Sequence, residues 1–517
     1  MPIYDLGSLN TSALTAPDLY VQKIPPKTLY INGVPTDIEG IVGVGSWGPI
    51  NSAILASGST FGSVTVRKYD LASAISINAM VGANNIRAVR VTDGTDAAAT
   101  INLVDTAGTP VTGAILTAFY TGIVGNTITT KISTGTQANT YKLTLTRPTF
   151  TPEVFDNISG SGATLWANLV SAVNNGQNGF TGPSKLVVAS IGTSTGTPNT
   201  TTTYTLAGAT DGTSGVTDAT LVGADNVSAA SRTGMYALRS SGAQVLNLVD
   251  LTAGGTQWAN IVAFAKNEGM YYVGQGAAGA SYTTVAASLA TAGVDDPALK
   301  PLVGDWAYWA DNVNGVTRLM APATFVAAEI AALAPHLSSL NKPLPGIIGT
   351  QRTSQNQPYS TAEIGAIATS RLDVITNPCP GGQFYGCRTG RNASSDPTRN
   401  GDNYTRMTNF LALTIAASFG WVIGEPQTTD LRLKAKAATD SFLSNLQQQG
   451  MIGDVNGGPA FSIRIDKTNN PDSRVALGYM QMDVQVKYLS IVWFFLVNLE
   501  GGQTVSVQVV GASPTSN

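Results

Sequence analysis

Apolar positions along this chain switch between a period of two, which marks half-buried strands, and a period near 3.6, which marks helices. Residues 29–69 read as short strands between glycine turns: 38–42 (IEGIV) as a buried strand and 63–69 (SVTVRKY) as an alternating one. From about residue 230 the two periods alternate. Strands are predicted at 245–251, 270–273 and 306–310, and helices at 256–268, 282–292 and 322–340. That order specifies an α/β layer with partly parallel strands. Two further helices follow, 404–423 and 429–449; Thr428, Thr429 or Asp430 caps the second and Gly450 ends it. The chain then reads as strands again: 461–466, 479–488, the continuously apolar 491–497 (IVWFFLV) as a buried strand, and 503–510, where Val505, Val507 and Val509 share one face.

Residues 93–215 change character. Thr, Gly, Ser and Asn dominate, charges nearly vanish, and short runs such as 141–146 (YKLTLT) and 186–191 (LVVASI) predict an inserted β-rich domain. Residues 1–22 are irregular and polar and read as an arm. The fold class expected is α+β / α/β, multidomain.

Composition changes the picture in one respect. Forty-three per cent apolar residues in 517 suffice for several cores, yet only 12% are charged, against about 25% in ordinary soluble domains. An exterior so poor in charge is suited to meeting other chains. A net charge of −3 provides no basic footprint for nucleic acid. The N-terminus MPIYDLGSLN lacks a basic region followed by an apolar run, so no secretory signal is expected. The seven apolar residues 491–497 are too few to insert across a bilayer, which needs roughly 20.

Four features could carry chemistry. Gly43-Val44-Gly45-Ser46-Trp47-Gly48 satisfies the dinucleotide-binding pattern G-x-G-x-x-G, and Asp70 follows at the distance of a ribose-binding acid. Such a turn must run directly into a crossover helix, whereas here Pro49 follows and at most two helical turns fit at 53–56 before Ser57-Gly58-Ser59. Gly192-Thr193-Ser194-Thr195-Gly196 matches a nucleophile elbow, with His336 downstream, but Thr197-Pro198-Asn199 replaces the required helix. Arg388, Arg391, Arg399 and Arg406 are interleaved with Asp396 and Asp402 and read as a solvated, self-neutralising loop. Cys379 and Cys387 read as a reduced pair or one local disulfide; two cysteines and a single histidine make a poor metal set. No catalytic, cofactor or metal site is expected.

The layout nevertheless resembles a known family. Ala16-Pro17-Asp18-Leu19-Tyr20-Val21-Gln22, then residues 38–49 (IEGIVGVGSWGP), is similar to the opening of tail sheath proteins of contractile bacteriophages, the Mu-type branch, relatives of R-type bacteriocin and type VI secretion sheaths. Gly304-Asp305-Trp306 through Pro322-Ala323-Thr324-Phe325 to Asn341-Lys342-Pro343-Leu344 fits its centre. Asn403-Tyr404-Thr405-Arg406, Phe442-Leu443-Ser444-Asn445-Leu446, Asn469-Asn470-Pro471 and Gly478 fit its C-terminal third. The resemblance covers roughly 1–70 and 300–510, and residues 93–215 depart from it.

It implies a sheath core built from N- and C-terminal parts (23–92 and 350–502), an outer domain at 93–215, a middle α/β domain at 216–349, and arms at 1–22 and 503–517. It also implies a helical sleeve of hexameric rings around a tail tube, with baseplate and tail terminator proteins as partners. The sleeve is built in the bacterial cytoplasm, contracts without nucleotide, and drives the tube through a cell envelope. In that setting Leu19, Tyr20, Val21 and the valine stripe Val505, Val507, Val509 are expected to pair with a neighbour's sheet, or the terminal strand with its own. Arg432, Lys434 and Lys436 are expected either to face the tube or to be a solvated helix face. The other function classes are a nicotinamide-dependent oxidoreductase, from the glycine turn, and a secreted β-rich adhesin, from the Thr/Ser/Gly tracts.

Overall fold

The structure is a computed structural model and describes residues 3–5, 14–17, 19–23, 31–56, 61, 70–177, 179, 181–226, 231–249, 251, 254–312 and 314–499. The predicted strands 63–69 and 503–510 lie outside the described residues. The arm is not wholly irregular: β1 (Ile3–Asp5) and β2 (Val21–Lys23) pair in parallel, with Ile3 opposite Val21.

β3 (Ile38–Gly43) is buried at all six positions, as an apolar run without alternation requires of a central parallel strand. Residues 53–56, allotted up to two helical turns above, instead carry β4 (Ile54–Leu55). The crossover helix comes later, as α1 (Leu71–Val81), which leads into β5 (Asn85–Arg90) parallel to β3. Asp70 fixes the start of α1 by accepting from the amides of Ala72 (3.0 Å) and Ser73 (3.3 Å). Gly82, at φ +104°, supplies the left-handed residue that ends it.

Residues 93–215 carry two antiparallel sheets. β6 (Thr100–Val104), β7 (Thr112–Ala118), β8 (Thr129–Thr134), β9 (Tyr141–Thr146) and β10 (Glu153–Ile158) precede α2 (Gly162–Asn175). β11 (Val187–Ile191) and β12 (Thr203–Thr205) follow it. The strand orders are β10-β9-β8-β12 and β11-β7-β6. Trp166, Leu116, Leu143 and Phe155 share a core there that also takes in Trp47 from the glycine turn.

A short α3 (Asp218–Val222) leads to β13 (Val245–Leu248), α4 (Gly254–Glu268), β14 (Tyr271–Gln275), α5 (Tyr282–Thr291) and β15 (Leu299–Leu302). Their strands extend the first sheet into the order β15-β14-β13-β3-β5-β4, parallel except for β4. β3, β4 and β5 belong by hydrogen bonding to the sheet of 245–302, because β3 pairs with β13 from Val245 opposite Glu39 to Leu248 opposite Val42. Core packing also joins parts of 23–92 and 350–502, since Val42 shares a core with Leu372 and Val374, and Ile77 shares one with Ile375. Ile31 and Val34 pack with the C-terminal helices.

β16 (Ala307–Asp311) and β17 (Val316–Met320) form a hairpin before α6 (Pro322–Ala332). The helix expected to reach residue 340 stops at 332. Pro335 disfavours helical backbone before it, and Leu333 is extended at φ −84°, ψ 144°. β18 (Ile347–Thr350), α7 (Gln351–Ser354), α8 (Thr361–Thr369), β19 (Ile375–Thr376) and β20 (Gly386–Cys387) follow. α9 (Asp402–Ser418) ends before Gly420, earlier than expected, whereas α10 (Thr429–Gln448) keeps its predicted bounds within a residue. Thr428 is its cap, accepting from the Leu431 amide at 3.1 Å, and Gly450 has φ +71°.

β21 (Phe461–Arg464) and β22 (Asp483–Val486) are shorter than predicted and pair antiparallel. One face of this ribbon, with Ile463 and Val484, packs on α9 and α10 through Phe410, Phe442 and Leu443. Residues 491–497 are the largest departure. They form no strand, and Val492, Phe494, Phe495, Leu496 and Val497 are 68–86% exposed.

Candidate intersubunit surfaces

The motifs that suggested chemistry are structural. At the glycine turn, Ser46 and Trp47 are buried, and Gly45 lies so close to Phe61 that a Cβ would meet it at 2.9 Å. Arg90 donates to the Gly48 carbonyl at 3.0 Å and to Thr121 at 2.8 Å, which ties the turn to the 93–215 segment. No helix starts at the turn, so no row of free amides faces a pyrophosphate. Asp70, at the ribose-acid position, is a buried helix cap 3.8 Å from Arg318. The dinucleotide reading is corrected accordingly.

Ser194 is buried and donates to Asp105 at 2.5 Å, so its hydroxyl anchors a loop. His336 is half-buried; burial first, and then Arg406, push its imidazole below its ordinary range. Cys379 and Cys387 are buried free thiols, and burial pushes both up. Among the described residues no cluster of His, Cys, Asp and Glu could hold a metal, and no helix is long and apolar enough to cross a membrane.

The arginine loop is partly as expected, Arg399 pairing with Asp396 at 3.0 Å on the surface. Arg406 and Asp402 depart from that reading, because both are buried. Arg406 donates to the carbonyls of Ile330 (2.6 Å), Leu333 (2.5 Å), Ala334 (3.3 Å) and Leu337 (3.3 Å), closing the C-terminal end of α6. Asp402 lies 3.4 Å from Lys300 and accepts from Ser339 Oγ at 2.5 Å. Lys300 also meets Asp373 at 2.6 Å, with all three side chains buried. Burial raises the Asp373 carboxyl, but Lys300 and the amides of Thr389 and Val374 outweigh it and hold the group below the carboxylate range. The network joins β15 to the start of α9, and nothing in the sequence marked Lys300.

The remaining candidates lie at the surface. The β21–β22 ribbon has two outer edges, and no other described strand pairs with either. Beyond it, Trp493 donates from Nε1 to the Thr389 carbonyl at 3.1 Å, and Arg391 lies over its indole, 5.4 Å from the ring centroid. Apolar side chains on both sides of Trp493 stand in solvent, and with α8 they flank a groove of about 840 Å³. In the N-terminal arm Leu19 is exposed, Val21 is at the exposed margin, and Tyr20 donates to the Ala16 carbonyl at 2.9 Å. Val505, Val507 and Val509 fall outside the described residues.

Arg432, Lys434 and Lys436 do not form one stripe. Arg432 is half-buried and donates to Gln427 at 2.9 Å, Lys434 pairs with Asp430 at 2.6 Å, and Lys436 is exposed. At about 100° per residue, Arg432 and Lys436 share a face and Lys434 lies on another.

No family profile matches the sequence, and no curated protein matches it. Solved structures do match. The sheath tail protein of Desulfitobacterium hafniense superposes with a TM-score of 0.55 at 14% identity, over 87% of this chain and 94% of that one. The sheath tail protein of Listeria innocua gives 0.57 at 14% identity, over 84% and 90%. The helical sheath of the anti-feeding prophage in its contracted state gives 0.52 at 9% identity, over 94% and 99%. The chain has the mixed α/β fold of sheath tail proteins.

Proposed function

We propose that this chain is the structural subunit of a contractile sheath. Copies polymerise as a helical sleeve around a tail tube and then shorten to drive the tube through a cell envelope. The work is the free-energy difference between two packings of one subunit, released over a kinetic barrier without nucleotide. The proposed role is mechanical rather than enzymatic. Baseplate and terminator proteins are the proposed end partners, and the setting is a tail-like particle assembled in the bacterial cytoplasm.

The observation that carries this reading is the exposed apolar segment at 491–497 beside a ribbon whose outer edges no other described strand pairs with. A monomer gains nothing by holding such a segment in water; burial at roughly 25 cal/mol per Å² favours a sheet on another copy. Leu19–Val21 at the other end of the chain, with Val505, Val507 and Val509, are the proposed exchanging strands. Arg432 and Lys436 are the proposed tube contacts, supported by their common face on α10, with Lys434 a weaker member because Asp430 neutralises it.

The test is negative-stain microscopy of the purified chain and of a chain lacking 489–517. The full chain should form hollow cylinders and the truncated one soluble monomers. Cylinders from the truncated chain would remove the arm from the account. Reversing charge at Arg432, Lys434 and Lys436 should spare assembly of the sheath alone and abolish its growth on tubes; unchanged growth discards the tube contact.

A further inference from the structure

At the junction of the glycine turn with residues 93–215 lies a groove of about 790 Å³ that the sheath reading does not use. Its floor is Arg147, only 7% exposed, whose guanidinium is sandwiched 5.0 Å from the Trp47 ring and 4.2 Å from the Phe150 ring. Among the described residues no carboxylate pairs with Arg147, and no acceptor takes its side-chain donors. Burial alone lowers its pKa, with no counter-charge acting the other way. Glu153 lines the same groove but is engaged elsewhere, accepting from Ser184 Oγ at 2.6 Å and from the Lys185 amide at 2.9 Å.

The two rings cover the faces of the guanidinium and leave its in-plane donors for an arriving anion. The walls specify the rest of the ligand. Phe119 and Phe150 stand 46% and 38% exposed at the rim, and Tyr120 packs edge-on against both Phe119 and Trp47. Flat apolar faces around a planar fork suit a ring that is apolar on its faces and carries a carboxylate in its plane. The neighbouring strand edge is closed to a peptide. Gln177 occupies both the N–H and the C=O of Asp156, at 2.9 and 2.7 Å, and Thr181 donates to the Val154 carbonyl at 3.3 Å.

We infer that this groove is a binding site for an acidic saccharide, with Arg147 gripping a sugar carboxylate and Phe119 and Phe150 stacking on the ring. The volume falls in the range of small-molecule clefts, about 300–1,000 Å³. The site is independent of the sheath reading and can stand if that reading fails.

Trigalacturonic acid, with its methyl ester as the uncharged control, titrated against the full chain by calorimetry tests the inference. The free acid should bind and the ester should bind about tenfold more weakly or not at all. Arg147→Gln should lose the preference for the acid. Because that side chain also supports Trp47, Phe119→Ala serves as the variant at an exposed position, and it should weaken binding with its thermal midpoint unchanged. Failure of the wild type to bind the acid, equal binding of acid and ester, or full binding by Phe119→Ala overturns the assignment.

Discussion

Trp493 donates to the Thr389 carbonyl at 3.1 Å while Val492 and Phe494, on either side, are 72% and 80% exposed. One indole thus holds the start of a segment whose other apolar groups have no cover in the described chain. The arm is tethered at its base.

Trp493→Ala removes that tether and the Arg391 stacking with it. Hydrogen exchange of the 388–391 backbone should speed up, and proteolysis near 494 should move to earlier times, while the thermal midpoint hardly changes. An unchanged cleavage rate would mean that Trp493 does not hold the arm.

Glu39 is fully buried between Asn247 and Asn78, and burial pushes its carboxyl from 4.5 up to about 8. The folded chain therefore keeps a proton that the unfolded chain releases above about pH 4.5. This contribution to stability is complete below that value and is lost as pH rises toward 8. The loss by pH 7 is on the order of 3 kcal/mol. Glu39→Gln, which keeps a donor for Asn78, should raise the melting temperature at pH 7–8 and flatten its pH dependence. A parallel curve for wild type and variant would contradict the assignment.

Lys300 places one positive charge between Asp373 and Asp402 in a dry site. Lys300→Met should leave two uncompensated carboxylates and cost about 3–5 kcal/mol, read as a lowered unfolding midpoint. The loss should partly recover at acid pH, where the Asp373 carboxyl, no longer held down by Lys300, takes up a proton. A loss independent of pH would indicate packing rather than charge.

Arg406 satisfies four carbonyls at the end of α6. Arg406→Lys retains the charge but cannot span them, so exchange within Pro322–Ala332 should accelerate with that variant too. Full protection in Arg406→Lys would show that charge alone suffices.

Cys379 and Cys387 are buried, and burial holds both thiols above their ordinary range. Neither should react with iodoacetamide at pH 8 until the chain is denatured. Rapid labelling of the native chain would contradict their burial.

Particular residues explain what the sequence could and could not reveal. β3 and α10 were legible because each carries a complete local signal: an unbroken apolar run in one, a cap, a face and a terminal glycine in the other. The end of α6 was misread because the periodic pattern runs on past residue 332, while Pro335 and the four bonds from Arg406 decide where the backbone leaves the helix. Asp402 and Arg406 look like a solvated pair in a charged loop; their partners lie 63 to 102 positions away at Ser339, Ile330 and Lys300, beyond any local spacing rule. The 491–497 run reads as a buried strand because composition records that a segment needs cover and not where that cover lies. The glycine turn matched a dinucleotide motif because glycines accommodate close packing against Phe61 as readily as against a phosphate.

Cryo-electron microscopy of the purified full-length chain tests the central claim most directly. The account predicts hollow helical cylinders in which residues following Trp493 of one copy lie as a strand against Phe461–Arg464 or Asp483–Val486 of another. Monodisperse particles, or a terminal segment folded back onto the ribbon of its own chain in every copy, would contradict it.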